Sequence, residues 1–427
     1  YLNTFQPPFS PPKTVKLSRM RSFIKVSPDS HFPIQNLPFG IFSTQSDEIL
    51  SARVGVAIGD QILDLTAISQ LFEKHVPELG NPTLVFSQSS LNMFMSLGKS
   101  IWQATRKFLQ SILSEDNPEL RDSKELRKNA FVSQHSAKMH LPVNIGHFTD
   151  FYASKEHATN CGTMLRGKDN ALMPNWIHLP VGYHGRASSV VVSGTDIARP
   201  SGQRSPGKDQ PPIFGPSAKL DFELEMAFIV GTGNKLGERI PIQQAKDHIF
   251  GMHSDGAKIW RSPWEYAPLG PFLGKSFGTT ISPWIVTLDA LEPFLDPTPS
   301  PYLQEKGKTA YDIHLEVKMK PRDCSTYKTL TRSNLKYMYW SICQQLAHHT
   351  VNGCNMGAGD LCGTDARGSL LEITWNGKNE IDFGNGVKRL FVEDGDEVVL
   401  TGYCQGEGFK VGFGECSGKI VPTKYRE

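Results

Sequence analysis

Hydrophobic positions recur along this chain at two different spacings. In residues 53–65, two short apolar runs flank Gly59-Asp60. That pattern predicts strand, turn, strand, with the pair at the hairpin turn. Phe94, Leu97, Ile101, Thr105, Phe108 and Ile112 recur at three and four, the spacing of one helix with a buried face. Residues 200–219 are rich in Pro, Gly and Ser and predict a long loop. Residues 220–228 alternate, with Asp221, Glu223 and Glu225 on one side and Phe222, Leu224 and Met226 on the other, as in a strand. Leu335, Met338, Ile342 and Leu346 mark a helix that stops near Asn352-Gly353. Short strands punctuated by glycine follow at 397–400, 408–413 and 419–422.

These elements sort into two modules, residues 20–142 and 143–427. The second is β-rich and coiled, without alternating strand and helix, so the fold class is a β-rich α+β one and not a doubly wound sheet. No repeat of 20–50 residues is apparent. Residues 1–19 precede the first methionine, Met20, and contain no acid. Acid-poor leaders suit organelle targeting, but Pro7, Pro8, Pro11 and Pro12 break an amphipathic helix. A disordered leader is the better reading.

Composition narrows the function. Lys and Arg number 45 and Asp and Glu 43, a net charge of +2, which argues against a protein built to track a nucleic-acid backbone. No apolar run approaches the roughly 20 residues of a membrane span. Seven cysteines without a C-x-x-C pair fit free thiols in a reducing compartment, hence a cytoplasmic location.

Three common motifs fail on their context. Residues 270–276, GPFLGKS, have one residue too few between the glycines for a phosphate loop. Gly231-Thr-Gly233 has no third glycine in register for a dinucleotide fingerprint. Gly274-Lys-Ser276-Phe-Gly278 matches a nucleophile elbow, but extended chain surrounds it where a strand and a helix are needed. His348-His349 closes a helix, where a polar or cationic residue suits the dipole.

What remains is acidic and aromatic. Asp221, Glu223 and Glu225 share a strand face with no Lys or Arg between them. The pattern alone favours a solvated outer face. Repulsion between like charges would be relieved by a cation, and all-oxygen ligands select Ca²⁺ or Mg²⁺ over zinc. If residues 147–160 are helical, Asp150 and His157 share a face and put an anion and a general base together. Pro180–Arg186 and residues 264–280 carry Tyr183, Arg186, Tyr266, Lys275 and Thr279 in loops that could equally be plain surface. Glu372 sits in a strand-like apolar run; buried, it needs a partner, and a histidine is a natural one.

The strings 32–40, 55–64, 150–160, 179–188 and 270–280 together resemble the fumarylacetoacetate hydrolase family, and the likeness runs from Met20 to Pro422. The resemblance implies a small SH3-like β-barrel N-terminal domain, a large mixed β-roll C-terminal domain, and a homodimer. It implies Ca²⁺ held by Asp150, Glu223, Glu225 and Asp255, with Lys275 and Thr279 at a second cation site suited to Mg²⁺. It makes His157 the general base, Glu372 its orienting partner and Lys275 a charge-stabilising group. It makes Tyr152, Arg166, Tyr183, Tyr266 and Thr364 substrate-binding. The implied substrate is a small diketo acid, cleaved between carbonyls.

Two stretches depart from the family pattern. Ile259 and Ser262 stand where the family has an arginine and a glutamine that stabilise the oxyanion. The family's loop after Gly359-Asp-Leu361 is shortened to Cys362–Gly368. These departures carry a competing expectation, a chain that keeps fold, dimer and metal but has lost turnover. A third expectation keeps an enzyme but changes the diketo acid or the reaction, to hydrolysis or decarboxylation of another substrate.

Overall fold

The structure, a computed structural model, describes residues 20–44, 51–207, 210–260, 265, 270, 272–296 and 310–424, with the backbone alone at 257–260 and 296. Residues 1–19, the expected leader, lie outside the described residues.

The first module is built on a five-stranded antiparallel sheet. Its order is Phe131–Ser133, Gln61–Asp64, Arg53–Ile58, Phe39–Thr44, Ala137–His140. The hairpin at Gly59-Asp60 forms as expected, with Gly59 at φ 58, a conformation a glycine adopts without steric cost. The single helix expected from Phe94 to Ile112 is two helices, Asn92–Ser96 and Lys99–Leu113. Gly98, at φ 90, turns the chain between them. Leu97 is consequently exposed, while Phe94, Thr105, Phe108 and Ile112 are buried.

The second module contains a nine-stranded sheet and a five-stranded one. Most neighbours are antiparallel, so the sheet-rich α+β class holds. In the larger sheet, Gly182–His184, Phe148–Phe151, Leu361–Ala366, Leu224–Val230, Ile249–Trp260, Thr279–Ile281 and Val190–Val192 lie side by side. One face of Leu224–Val230 (Leu224, Met226, Phe228) enters the large C-terminal core. The other face (Ala227, Ile229) joins the core of the first module, with Phe39, Phe94 and Phe250. Phe39 also exchanges backbone hydrogen bonds with Ile285, at 3.0 and 2.8 Å. The first module therefore covers one end of the sheet face that carries Glu225.

Four other expectations change. The loop expected at 200–219 contains a two-stranded hairpin, Ser201–Arg204 with Ile213–Pro216. Its prolines lie in the connection or at a strand end, where no ladder donor is lost. The alternating strand breaks at Glu223 into Leu220–Phe222 and Leu224–Val230. The helix expected from Leu335 begins only at Ile342, where a Ser341–Gln344 capping box starts Ile342–Thr350. Leu335–Tyr337 is a separate 3-10 turn. The three short C-terminal strands are two long ones, Glu397–Gly406 and Phe409–Val421, joined through Gly408 at φ 79. All seven cysteines are free. Among the described residues no helix is long and apolar enough to cross a membrane.

Candidate active site and metal centre

The site assembles where three neighbouring strands place acids on one sheet face. Glu225 lies directly opposite Asp255 on one side and Asp365 on the other. Directly opposed residues point to the same face. Asp150 joins from the next strand, in register with Gly363. A Cβ at Gly363 would come within 3.0 Å of Glu225 Oε2 and 3.4 Å of Asp255 Oδ2. The glycine is thus what leaves room for the carboxylates. Glu223, at the strand break, completes the group.

The solvated face is overturned: Asp221, Glu223 and Glu225 are all buried. Asp221 goes elsewhere. Its carboxylate accepts the N–H groups of Leu370 and Leu371, at 2.7 and 2.9 Å, at the start of the short helix Leu370–Ile373. Asp150, Glu223 and Glu225 each offer an oxygen within 4.8 Å of the others. Both oxygens of Glu225 and both of Asp255 are buried without a hydrogen-bond partner. Buried unpaired carboxylates are costly unless a cation meets them. Hard oxygen donors with free lone pairs fit a divalent cation.

Electrostatics say the same. Burial raises Glu225 well above the usual carboxylate range, and the charges of Asp150 and Asp255 add to it. Burial raises Asp255 to about 8, again with Asp150 contributing. Burial also raises Asp150, although Lys275 opposes it. Lys275 brings an ammonium to these acids: its Nζ lies 3.3 Å from Asp150 Oδ2 and also contacts Glu223 Oε2. Burial alone would lower Lys275, but Asp150 and Glu223 hold it well above its ordinary value.

His157 adjoins this group. The helical expectation for 147–160 is corrected: Asp150 is on the strand Phe148–Phe151, and His157 is in the first turn of the helix Lys155–Arg166. Ser154 caps that helix by accepting the N–H of His157 at 3.3 Å. The two side chains still converge, because the strand runs straight into the helix. His157 Nδ1 lies 2.8 Å from Glu372 Oε2. Its Nε2 lies 3.4 Å from Asp365 Oδ2 and 3.6 Å from Glu223 Oε1.

Glu372 is not on a strand. It is in the short helix Leu370–Ile373, where Ser369 and Glu372 form a capping box. Its Oε2 accepts from Gly368 N at 2.9 Å, Ser369 N at 3.1 Å and Ser369 Oγ at 3.1 Å. Its Oε1 accepts from Asn160 Nδ2 at 2.9 Å. Burial would raise this carboxyl, but His157 and these donors outweigh it and bring it down to about 2. Burial would lower His157; Cys161, Glu372 and Asp365 hold it well above its ordinary value instead. A carboxylate fixed by four other donors can orient an imidazole.

The remaining predicted residues divide. The Tyr152 ring lies 5.6 Å from that of His157, and burial raises its phenol. Tyr183 donates its hydroxyl to Asp150 Oδ2. Thr279 is buried opposite Ala257, on the sheet face that Asp255 shares. Thr364 lies opposite Met226, on the other face, and accepts from Gln345 Nε2 at 3.1 Å. The strand alternation turns it toward the C-terminal core. Arg166 closes the same helix that His157 opens, about 13 Å farther along at 1.5 Å per residue. Its guanidinium donates to the carbonyls of Asn170 and Ala171, at 3.1 and 2.8 Å. Tyr266 and Ser262 lie outside the described residues, and of Ile259 only the backbone is described, opposite Asp221. Ser276 ends the helical turn Leu273–Ser276 and is followed by the strand Thr279–Ile281, the reverse of an elbow's strand and helix.

Sequence reasoning missed Asp365, Asn160 and the cap on Glu372. Asp365 accepts the N–H groups of Ala153 and Ser154, at 3.0 and 3.2 Å, and burial raises it to about 7. Its signal was alternation with Gly363 in a strand-length run. The cap was legible as Ser369-Leu-Leu-Glu372, a capping-box spacing.

Comparison with known proteins bears on this geometry. Residues 35–142 match the family described as fumarylacetoacetase N-terminal, and residues 146–421 match fumarylacetoacetate hydrolase C-terminal. The fumarylacetoacetase of Rattus norvegicus is 56% identical over 418 residues, 94% of this chain and 99% of that protein. That of Arabidopsis thaliana is 52% identical over 425 residues, 95% of this chain and 100% of that protein. Among solved structures, a fumarylacetoacetate hydrolase of Exiguobacterium antarcticum superposes with a TM-score of 0.54 at 16% identity, over 90% of this chain and 99% of that one. At that identity it shows the fold alone.

Proposed function

The chain belongs to the fumarylacetoacetase family and hydrolyses fumarylacetoacetate to fumarate and acetoacetate, a step of tyrosine catabolism; we propose that it does so with the buried carboxylates, His157, Glu372 and Lys275. The observation that carries the proposal is the 2.8 Å contact of His157 Nδ1 with Glu372, beside the acids.

Asp150, Glu223, Glu225 and Asp255 would hold a hard divalent cation, and we assign it as Ca²⁺. Lys275 and Thr279 border a second position suited to Mg²⁺. When bound, such a cation supplies Lewis-acid polarisation of the diketone. Every other role falls to side chains. Glu372 keeps the proton on Nδ1, so Nε2 is the acceptor. Water adds to the carbonyl carbon and gives a proton to His157 Nε2. Collapse of the tetrahedral intermediate breaks the carbon–carbon bond. The electron pair leaves with the acetoacetate carbon, which takes the proton back from His157, and the hydroxyl stays on the fumarate carboxyl. Lys275 faces the negative charge that develops during both steps. Tyr152, Tyr183 and Tyr266 are assigned to the substrate, and Arg166 to a distal carboxylate as a two-pronged donor; Thr364, on the opposite sheet face, is left out of the substrate contacts.

Four finer readings accompany this one. The domains are 20–142 and 143–427. The five-stranded N-terminal sheet is an SH3-like barrel and the larger sheets form a β-roll. The protein acts as a homodimer. The seven free thiols suit the cytoplasm.

The test is hydrolysis of fumarylacetoacetate with calcium present, followed as loss of the diketone's ultraviolet absorbance. Turnover well above that of His157→Ala is expected. A rate equal to that variant's would overturn the reading and favour a fold retained without its reaction.

A further inference from the structure

Lys275 reaches the acids from the single helical turn Leu273–Ser276, whose first side chains do not anchor it in a core. Phe272 is 70% exposed and Leu273 54%. The first N–H groups of a helical turn have no partner within it. Here one side chain takes three in succession. Glu265 Oε1 accepts from Leu273 N at 2.9 Å, and Glu265 Oε2 from Gly274 N at 2.9 Å and Phe272 N at 3.3 Å. The next residue is Lys275, whose own N–H closes the turn on Phe272 O at 3.2 Å. From there its Nζ contacts Asp150 and Glu223 and lies 5.3 Å over the Tyr183 ring.

We propose that Glu265 is a positioning residue for Lys275: its carboxylate clamps three consecutive backbone N–H groups and so fixes the ammonium against the acids. Bonds from backbone N–H to an ionised carboxylate are roughly twice as strong as neutral ones. Glu265 itself touches neither the acids nor His157 in any contact described above. Among the described residues its effect reaches the site through the turn. The proposal rests on the reading that Lys275 acts in fumarylacetoacetate hydrolysis.

Two measurements test it. The first is a double-mutant cycle on kcat with Glu265→Ala and Lys275→Met, alongside Glu265→Gln. A misplaced group costs up to about 100-fold in rate, so Glu265→Ala is expected to lose on that order. Glu265→Gln, which keeps one acceptor oxygen, should lose less. In the Lys275→Met background, Glu265→Ala should change kcat by less than about twofold, the scatter of independent sites. Equal losses in both backgrounds would mean a general structural role and overturn the proposal, as would an unchanged kcat in Glu265→Ala. The second measurement is a crystal structure of Glu265→Ala. Lys275 Nζ displaced from Asp150 and Glu223 is expected; Nζ unmoved overturns the proposal even if the unaltered protein shows no turnover. Absence of turnover in the unaltered protein bears on the proposed reaction instead, so the two failures are distinguishable.

Discussion

His157 and Glu372 lie 215 positions apart in the chain and are joined at 2.8 Å in a buried contact. The contact depends on two helix N-termini meeting, one capped by Ser154 and the other by Ser369. Glu372→Gln is a poor probe, because the donors Gly368 N, Ser369 N and Ser369 Oγ at Oε2 would hold the amide oxygen against Nδ1. Glu372→Ala removes the acceptor altogether and leaves the imidazole without an orienting partner. Removing the orienting aspartate of a serine protease costs about 3 × 10⁴-fold. A loss of about 10³- to 10⁴-fold in kcat with little change in KM is expected for Glu372→Ala. Steady-state kinetics check it, and a loss under tenfold would remove Glu372 from the orienting role.

Asp365 gives the site a pH dependence with a definite sign. His157 is held above its ordinary value, with burial opposing and Cys161, Glu372 and Asp365 favouring the proton. A base with a raised pKa keeps its proton to higher pH, so the fraction able to take a proton from water grows as pH rises and sets the acidic limb of kcat/KM. Asp365→Asn keeps the oxygen that accepts from Ala153 and Ser154 and removes one of the charges retaining the proton. The limb moves to lower pH, and kcat/KM at neutral pH rises by up to about tenfold for one unit of movement. Two pH–rate profiles decide the matter. A limb that stays in place would show that Asp365 does not govern the base.

Much of this site was legible before the fold. Glu223 and Glu225 were identifiable as uncompensated carboxylates on one strand face, and Glu372 as an acid among apolar residues that needs a partner; Asp255, the full set of acids and the pairing of Glu372 with His157 came only from the resemblance to the family. Their supports were less legible. Residues 147–160 have no periodicity that separates a strand ending at Phe151 from a helix beginning at Lys155. The apolar run around Glu372 resembles a strand by composition, and only Ser369 three residues earlier identifies a capped helix. Burial of all three alternating acids could not be read from period two alone. It depends on which elements cover the face, and that includes the first module, whose sequence carries no chemistry. Asp365 was invisible for a related reason: its role comes from lying beside Glu225 across the sheet, a register set by residues far away in the chain.

The acids also predict a metal-dependent stability. Burial and mutual repulsion raise Glu225 and Asp255, so the apo fold must take up protons that the unfolded chain has released, and it loses stability as pH rises from the ordinary carboxylate range toward neutral. A cation bound only to the folded state stabilises it by about 2.7 kcal/mol at 100 times its Kd. Thermal unfolding should therefore show a rise in Tm with calcium that grows with concentration. Glu225→Gln should raise the Tm of the metal-free protein, because a neutral amide needs no proton uptake on folding, and should largely abolish the calcium response. A full calcium response in Glu225→Gln would place the cation elsewhere.

Gly162 offers a prediction in which two local rules oppose each other. It lies within the helix Lys155–Arg166, where exchanging Gly for Ala ordinarily gains about 1 kcal/mol. A Cβ at this position, however, would stand 1.8 Å from the carbonyl oxygen of Ala171 and 2.6 Å from Arg166 Nη2. The oxygen belongs to backbone, which cannot swing aside as a flexible side chain can. It is also the acceptor for Arg166 Nη2 at 2.8 Å, so the added methyl separates the helix from the segment that Arg166 holds. Overpacking of this kind costs about 1–3 kcal/mol, more than helix propensity returns. Gly162→Ala is expected to lower stability in denaturant unfolding and, by shifting Arg166, to raise KM more than it lowers kcat. A gain in stability would mean that the helix and the 168–171 segment separate freely, and Arg166 would then have no fixed place from which to meet a substrate carboxylate.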